Sequence, residues 1–157
     1  MARVYVSSVI AAPAAKVWAR VRDFNGLPNW HPRIAESRIE NGEPADKVGC
    51  IRAFSLRSGD RLREQLLGLS DYDMFCTYSI LDSPMPLTNY VATLRLTPIT
   101  DQERTFIEWS ADFDCAPDKE AELVAGIGTN VFQGGFDDGG LGLCAASQCQ
   151  GMGTFDP

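Results

Sequence analysis

Two charged residues stand where a β-hairpin should be apolar. In GCIRAFSLRSGDRLREQLL (residues 49–67), Arg52 alternates with Cys50, Phe54 and Leu56, and Glu64 alternates with Leu62 and Leu66. Residues two apart share a strand face, so both charges belong to the face that the apolar residues bury. A two-residue turn at Ser58-Gly59 would put them on opposite faces, which the apolar pattern forbids. A three-residue connection, or a bulge at Gly59, removes the conflict. With Ser58-Gly59-Asp60 as the loop, Arg52 lies diagonally across from Glu64. Moved by one pair, the two are directly opposite.

Burying a lone charge costs on the order of several kcal/mol, and a bonded pair costs far less but seldom gives a net gain. Stability alone therefore does not explain the pair. One reading is a satisfied polar network that fixes the hairpin register. The other is a pair that lines a cavity and meets a polar ligand group. Tyr78 and Tyr90 fall on inward faces of later strands by the same alternation. Few placed polar groups among apolar walls is the composition of a small-molecule pocket. There Arg52 could hold a carbonyl or enolate oxygen, Glu64 could move a proton, and the tyrosines could orient the ligand. Apolar walls raise the Glu64 pKa and Arg52 lowers it, so the balance is open at this point.

The elements that position these groups can be read from periodicity. Residues 3–10 form a strand, and a helix starts after Pro13 with Val17, Trp18 and Val21 on one face. Residues 25–33 are turn-rich, with one helical turn near Trp30. Strands follow at 34–41, 48–57, 60–70, 72–82, 88–98 and 104–114, separated by NGEPAD, SGD, SPMP and TDQE. A final amphipathic helix starts near Pro117, with Leu123, Ile127 and Val131 at i, i+4, i+8 and Gly134-Gly135 as its expected end. The order predicts an α+β fold, a seven-stranded antiparallel sheet curled around a terminal helix.

The chain has 157 residues, a net charge of −7 and a pI near 4.6. One domain is expected. An acidic chain without a basic run is a poor partner for nucleic acid or anionic membrane. No apolar run reaches the length of a membrane span, and a cytoplasmic location is the expectation. Five cysteines without a C-x-x-C pair, and a single histidine, His31, argue against a structural metal site. No cofactor is expected.

The sequence resembles the START/Bet v 1-like superfamily, in its polyketide cyclase/dehydrase (SRPBCC) branch. The resemblance rests on P-x-x-x-V-W-x-x-x-x-D-F at 13–24, L-P-x-W-H-P at 27–32, V-G-x-x-R at 48–52 and R-E-x-L at 63–66. Y-x-I-L at 78–81, P-L-x-x-Y-V-A-T at 86–93 and I-E-W-S at 107–110 extend it. It implies the helix-grip fold, with two short helices between the first two strands and a hydrophobic cavity between sheet and long C-terminal helix. Among plant members the chain is similar to lachrymatory-factor synthase, whose catalytic arginine and glutamate occupy the motif positions of Arg52 and Glu64. The tyrosines of the matching motifs are Tyr78 and Tyr90. The resemblance places Trp30 and His31 at the cavity mouth, and Phe54 and Trp109 on its wall. It implies a small hydrophobic ligand, either transformed by a cofactor-independent cyclase, dehydratase or isomerase, or merely carried or sensed.

The family pattern breaks at the end. Residues 1–138 read as the helix-grip domain, whereas 139–157 (GGLGLCAASQCQGMGTFDP) are glycine-rich with no charge before Asp156. A lineage-specific replacement or a frame change near Asp138 is the expectation, with a homodimer covering any sheet that a shortened helix leaves bare.

Overall fold

The computed structural model describes residues 1–137 together with Gly140 and Leu141. Seven antiparallel strands form one sheet: β1 (Ala2–Ile10), β2 (Ile34–Ile39), β3 (Ile51–Leu56), β4 (Arg61–Ser70), β5 (Phe75–Asp82), β6 (Leu87–Ile99) and β7 (Arg104–Cys115). Their spatial order is β1-β7-β6-β5-β4-β3-β2, so the first two strands form the two edges. Between them run helix α1 (Ala14–Val21) and a 3-10 turn at Leu27–Asn29. This is the expected α+β helix-grip architecture.

One face of the sheet is packed and the other is wet. Tyr90, Ala92, Leu94 and Leu96 of β6 are buried, as are Ile107, Trp109, Ala111 and Phe113 of β7. Val17, Trp18 and Val21 of α1 join that core. The Trp18 indole N–H donates to Asp71 Oδ1 at 2.8 Å, and Arg22 Nε donates to the same oxygen at 2.8 Å. These bonds tie α1 to the β4–β5 connection.

The β3–β4 hairpin takes the second of the two expected registers. Arg52 pairs directly with Glu64, and Phe54 with Leu62. Its loop is Arg57-Ser58-Gly59, one residue earlier than Ser58-Gly59-Asp60: Leu56 N–H donates to Asp60 O at 2.8 Å. Gly59 closes the loop at φ +97°, a conformation that a Cβ resists.

The C-terminal helix departs from the expected pattern. It begins as α2 (Glu120–Gly126), turns π-helical over Ile127–Gln133 and ends as α3 (Gly134–Asp137). The π segment carries an extra residue per turn relative to an α-helix. Ile127, Phe132 and Phe136 therefore face the core, while Val131, expected there from its i+4 spacing, is half-buried. Gly134-Gly135 does not end the helix. A Cβ on Gly135 would stand 3.0 Å from His31 Cδ2 and 3.1 Å from Trp30 Cζ3, so glycine lets the backbone press onto the aromatic side chains. Residues 138, 139 and 142–157 lie outside the described residues, and with them most of the expected atypical tail. Its described part packs inward: Leu141 is buried.

The π register makes a stability prediction. Phe132→Ala should lower the unfolding free energy by about 3–5 kcal/mol, and Val131→Ala by clearly less. Urea denaturation of both variants checks the order. An α-helical continuation through residue 131 would reverse it.

Candidate functional site

Arg52 and Glu64 meet on the inner face because alternation and register leave them nowhere else to point. Both are almost fully buried, at 6% and 5% exposure. Arg52 Nε donates to Glu64 Oε2 at 2.7 Å, and Nη2 contacts the same oxygen. Arg52 Nη1 donates to the Phe24 carbonyl at 3.1 Å. Aromatic rings flank the guanidinium, with its Cζ 4.0 Å from the Phe24 centroid and 4.9 Å from that of Tyr78. The cation is thus held by an anion, a carbonyl and two ring faces.

The cavity between sheet and helix has a volume of about 130 Å³. Arg52, Glu64, Tyr78, Tyr90, Phe54 and Trp109 all line it, together with His31. From the other side it is closed by Ile127 and Val131 of the π segment. A larger groove of about 440 Å³ runs over β2–β4, bordered by Glu36, Arg38, Arg61 and Arg63. It is an open, charged surface feature and takes in neither Arg52 nor Glu64.

Each expected site residue can be located. Tyr78 and Tyr90 are adjacent, with ring centroids 6.4 Å apart. Tyr90 reaches inward beside a bulge in β6, where the register against β7 shifts between Thr88 and Val91 and Asn89 adopts φ 54°. Bulges commonly re-aim side chains in this way. Trp109 donates its indole N–H to the Tyr78 hydroxyl at 3.1 Å. His31 is buried on the cavity wall: its Nε2 bonds to the Val131 carbonyl at 2.8 Å, and its Nδ1 accepts the Arg33 N–H at 3.2 Å. With Nδ1 accepting, Nε2 carries the proton. Trp30 is not brought to the cavity. It packs against Trp109 with the rings tilted, at 5.8 Å between centroids, and under Gly135 and Gly140.

Sequence reading missed Phe24, which supplies Arg52 with both an acceptor and a ring. Its signal was the D-F at the end of the first helix motif, which periodicity alone reads as packing. Ile127 and Val131, on the apolar helix face that the spacing predicted, form the cavity wall from the helix side.

Burial dominates the electrostatics. It pushes the Glu64 carboxyl above its ordinary pKa, and the Arg52 charge only partly pulls it back. Burial also works against the Arg52 charge, but the fields of Glu64, Tyr78 and Cys76 outweigh it, and arginine stays cationic. Desolvation raises both tyrosines above the phenol range, so they remain protonated donors. It pushes the Cys76 thiol up to about 11, leaving it unreactive. The site can offer fixed positive charge and hydroxyl donors to a ligand oxygen, with a carboxyl primed to take a proton.

Two measurements follow from this geometry. Glu64→Leu strands a buried cation and should cost about 3–5 kcal/mol, whereas Arg52→Met with Glu64→Leu should recover most of the loss. Denaturation of both variants decides; a double variant as unstable as the single one would mean that the pair serves stability itself. In a carboxyl NMR titration the Glu64 midpoint should lie above the free-group value of 4.5. A midpoint below it would show that the Arg52 charge outweighs burial.

The chain matches the family model described as polyketide cyclase / dehydrase and lipid transport over residues 1–146. Among solved structures it is similar to a protein from Thermobifida fusca, with 34% identity and a TM-score of 0.76 over 84% of this chain and 86% of that one. It is similar to XoxI from Bacillus cereus, at 29% identity, TM-score 0.74, and 87% and 94% coverage. An uncharacterised protein from Bacillus thuringiensis matches at 28% identity, TM-score 0.74, and 86% and 96% coverage. Among curated proteins none matches. The fold is shared with these structures, and family membership points to a hydrophobic small molecule as ligand. No described helix is long and apolar enough to cross a membrane. By the extent of the match and its agreement with the fold, the chain belongs to the polyketide cyclase/dehydrase and lipid transport family.

Proposed function

We propose that this protein binds a small hydrophobic molecule in the cavity between sheet and C-terminal helix and catalyses its cyclisation, dehydration or isomerisation without a cofactor. Arg52 holds the oxygen on which negative charge develops, and Glu64 moves the proton. The observation that carries this reading is the buried Arg52–Glu64 pair lining a mainly apolar cavity. A structural pair would be better served by apolar residues of the same volume. Tyr78 and Tyr90 orient the ligand by hydrogen bonding, with Phe54 and Trp109 as walls.

Cavity size favours chemistry over lipid carriage. Ligand pockets for drug-sized molecules run to about 300–1,000 Å³. The 130 Å³ here is too small for a long acyl chain. It suits a compact substrate lodged beside the buried Arg52–Glu64 pair, where charges act more strongly than in water.

Native mass spectrometry of freshly purified protein should reveal a co-purified small molecule. With that molecule as substrate, Glu64→Gln and Arg52→Met should each lower kcat by about a hundredfold or more. A carrier would instead change in affinity with no turnover to lose. Binding and turnover untouched by either variant would remove both residues from the site.

A further inference from the structure

The Trp109–Tyr78 hydrogen bond has a fixed direction. An indole N–H can only donate. At 3.1 Å from it, the Tyr78 oxygen must accept. The Tyr78 hydrogen is thereby left for some other partner. Neither ring is free to turn. Trp109 stacks on Phe132 at 4.5 Å with 12° between planes, and Trp30 and Phe136 pack beside it at 5.8 and 6.0 Å. Tyr78 is packed between Phe24 and Tyr90, at 6.2 and 6.4 Å. The direction is therefore set before any ligand enters.

The consequences converge on one end of the cavity. Arg52, beside Tyr78, has only donors, and its two hydrogen bonds and the Nη2 contact leave N–H groups to spare. The Glu64 carboxylate, bonded to Arg52, stands beside these donors as an acceptor. The volume of about 130 Å³ is close to the roughly 150 Å³ of an apolar cavity that holds benzene.

We infer that Trp109 is a positioning residue: it commits the Tyr78 hydroxyl to donating, so the inner end of the cavity recognises an anionic oxygen on a molecule no larger than a single ring. The inference rests on the proposed function and names its ligand class. A phenol is the simplest such molecule. On binding, its hydroxyl proton passes to the Glu64 carboxylate, which becomes a neutral carboxylic acid. The phenolate oxygen stays with the Arg52 and Tyr78 donors. One O–H bond breaks and one forms, and nothing is oxidised or reduced. Burial opposes either anion, as it does for Glu64, Tyr78 and Tyr90, so the Arg52 and Tyr78 donors are what must favour the transfer.

The test uses para-nitrophenol, whose phenolate absorbs visibly. Titrated with the intact protein below the phenol's own pKa, it should develop the phenolate band. Trp109→Phe keeps a ring but removes the donor, and should weaken phenolate binding about tenfold. Tyr78→Phe should do at least as much, and the double variant no worse than Tyr78→Phe alone, because Trp109 acts through Tyr78. Additive losses, or an unchanged phenolate fraction in Trp109→Phe, overturn the positioning role. Should that variant fail to fold, the indole N–H resonance of Trp109 in the wild-type protein decides: it should move on saturation with para-nitrophenol, and a resonance that stays in place overturns the role. No phenolate band at all overturns the ligand class while leaving Arg52 and Glu64 to be judged by the co-purified molecule. A band indifferent to both Arg52→Met and Glu64→Gln removes the proposed function itself.

Discussion

The buried contact between Arg52 and Glu64 is the constraint to which the rest of the site is fitted. Two charges at about 5% exposure are tolerable only when every strong partner is supplied. Direct pairing across β3 and β4 supplies the first. The Phe24 carbonyl supplies the second, which requires the chain after α1 to end where its backbone meets the sheet. The rings of Phe24 and Tyr78 supply the remainder. A shift of one residue in the hairpin would send either charge to the wet face and undo all of these contacts.

The helix meets this demand by an irregularity. A regular α-helix with glycines at 126 and 128 would have brought Val131 inward. The π segment buries Phe132 flat on Trp109, leaves Val131 half-buried at the cavity wall and turns the Val131 carbonyl to His31. Gly135 then allows the backbone to press onto Trp30, His31 and Trp109. π-Turns recur at functional sites because they re-aim side chains at some loss of regularity. Here the result is a small cavity of about 130 Å³ between sheet and helix.

Overall charge says little about such a site. The chain is acidic, yet it buries a cation in its cavity wall, and that cation bears on what the cavity can attract. Burial opposes both members of the pair, but only the carboxyl gives way toward neutrality, because a guanidinium holds its proton far more tightly. The pair is therefore asymmetric: one partner is a fixed charge and the other an exchangeable proton. Family membership is consistent with this division, since a shared fold supplies the enclosure and individual side chains supply the chemistry.

The sequence alone determined the succession of elements along the chain, the packed and wet faces, and the shared face of Arg52, Glu64, Tyr78 and Tyr90. Period-two alternation is a local property, and a strand that violates it must expose apolar groups or bury polar ones. It also required an odd-length turn near Gly59. Tertiary structure decided what periodicity does not encode. The choice between diagonal and direct pairing depended on which register let Arg52 also reach Phe24. The π-helical register depended on Phe132 stacking on Trp109, a contact between residues distant in sequence. The exclusion of Trp30 from the cavity followed from the helix closing over it. Cavity volume came last of all, since it is what remains when every wall has settled into contact.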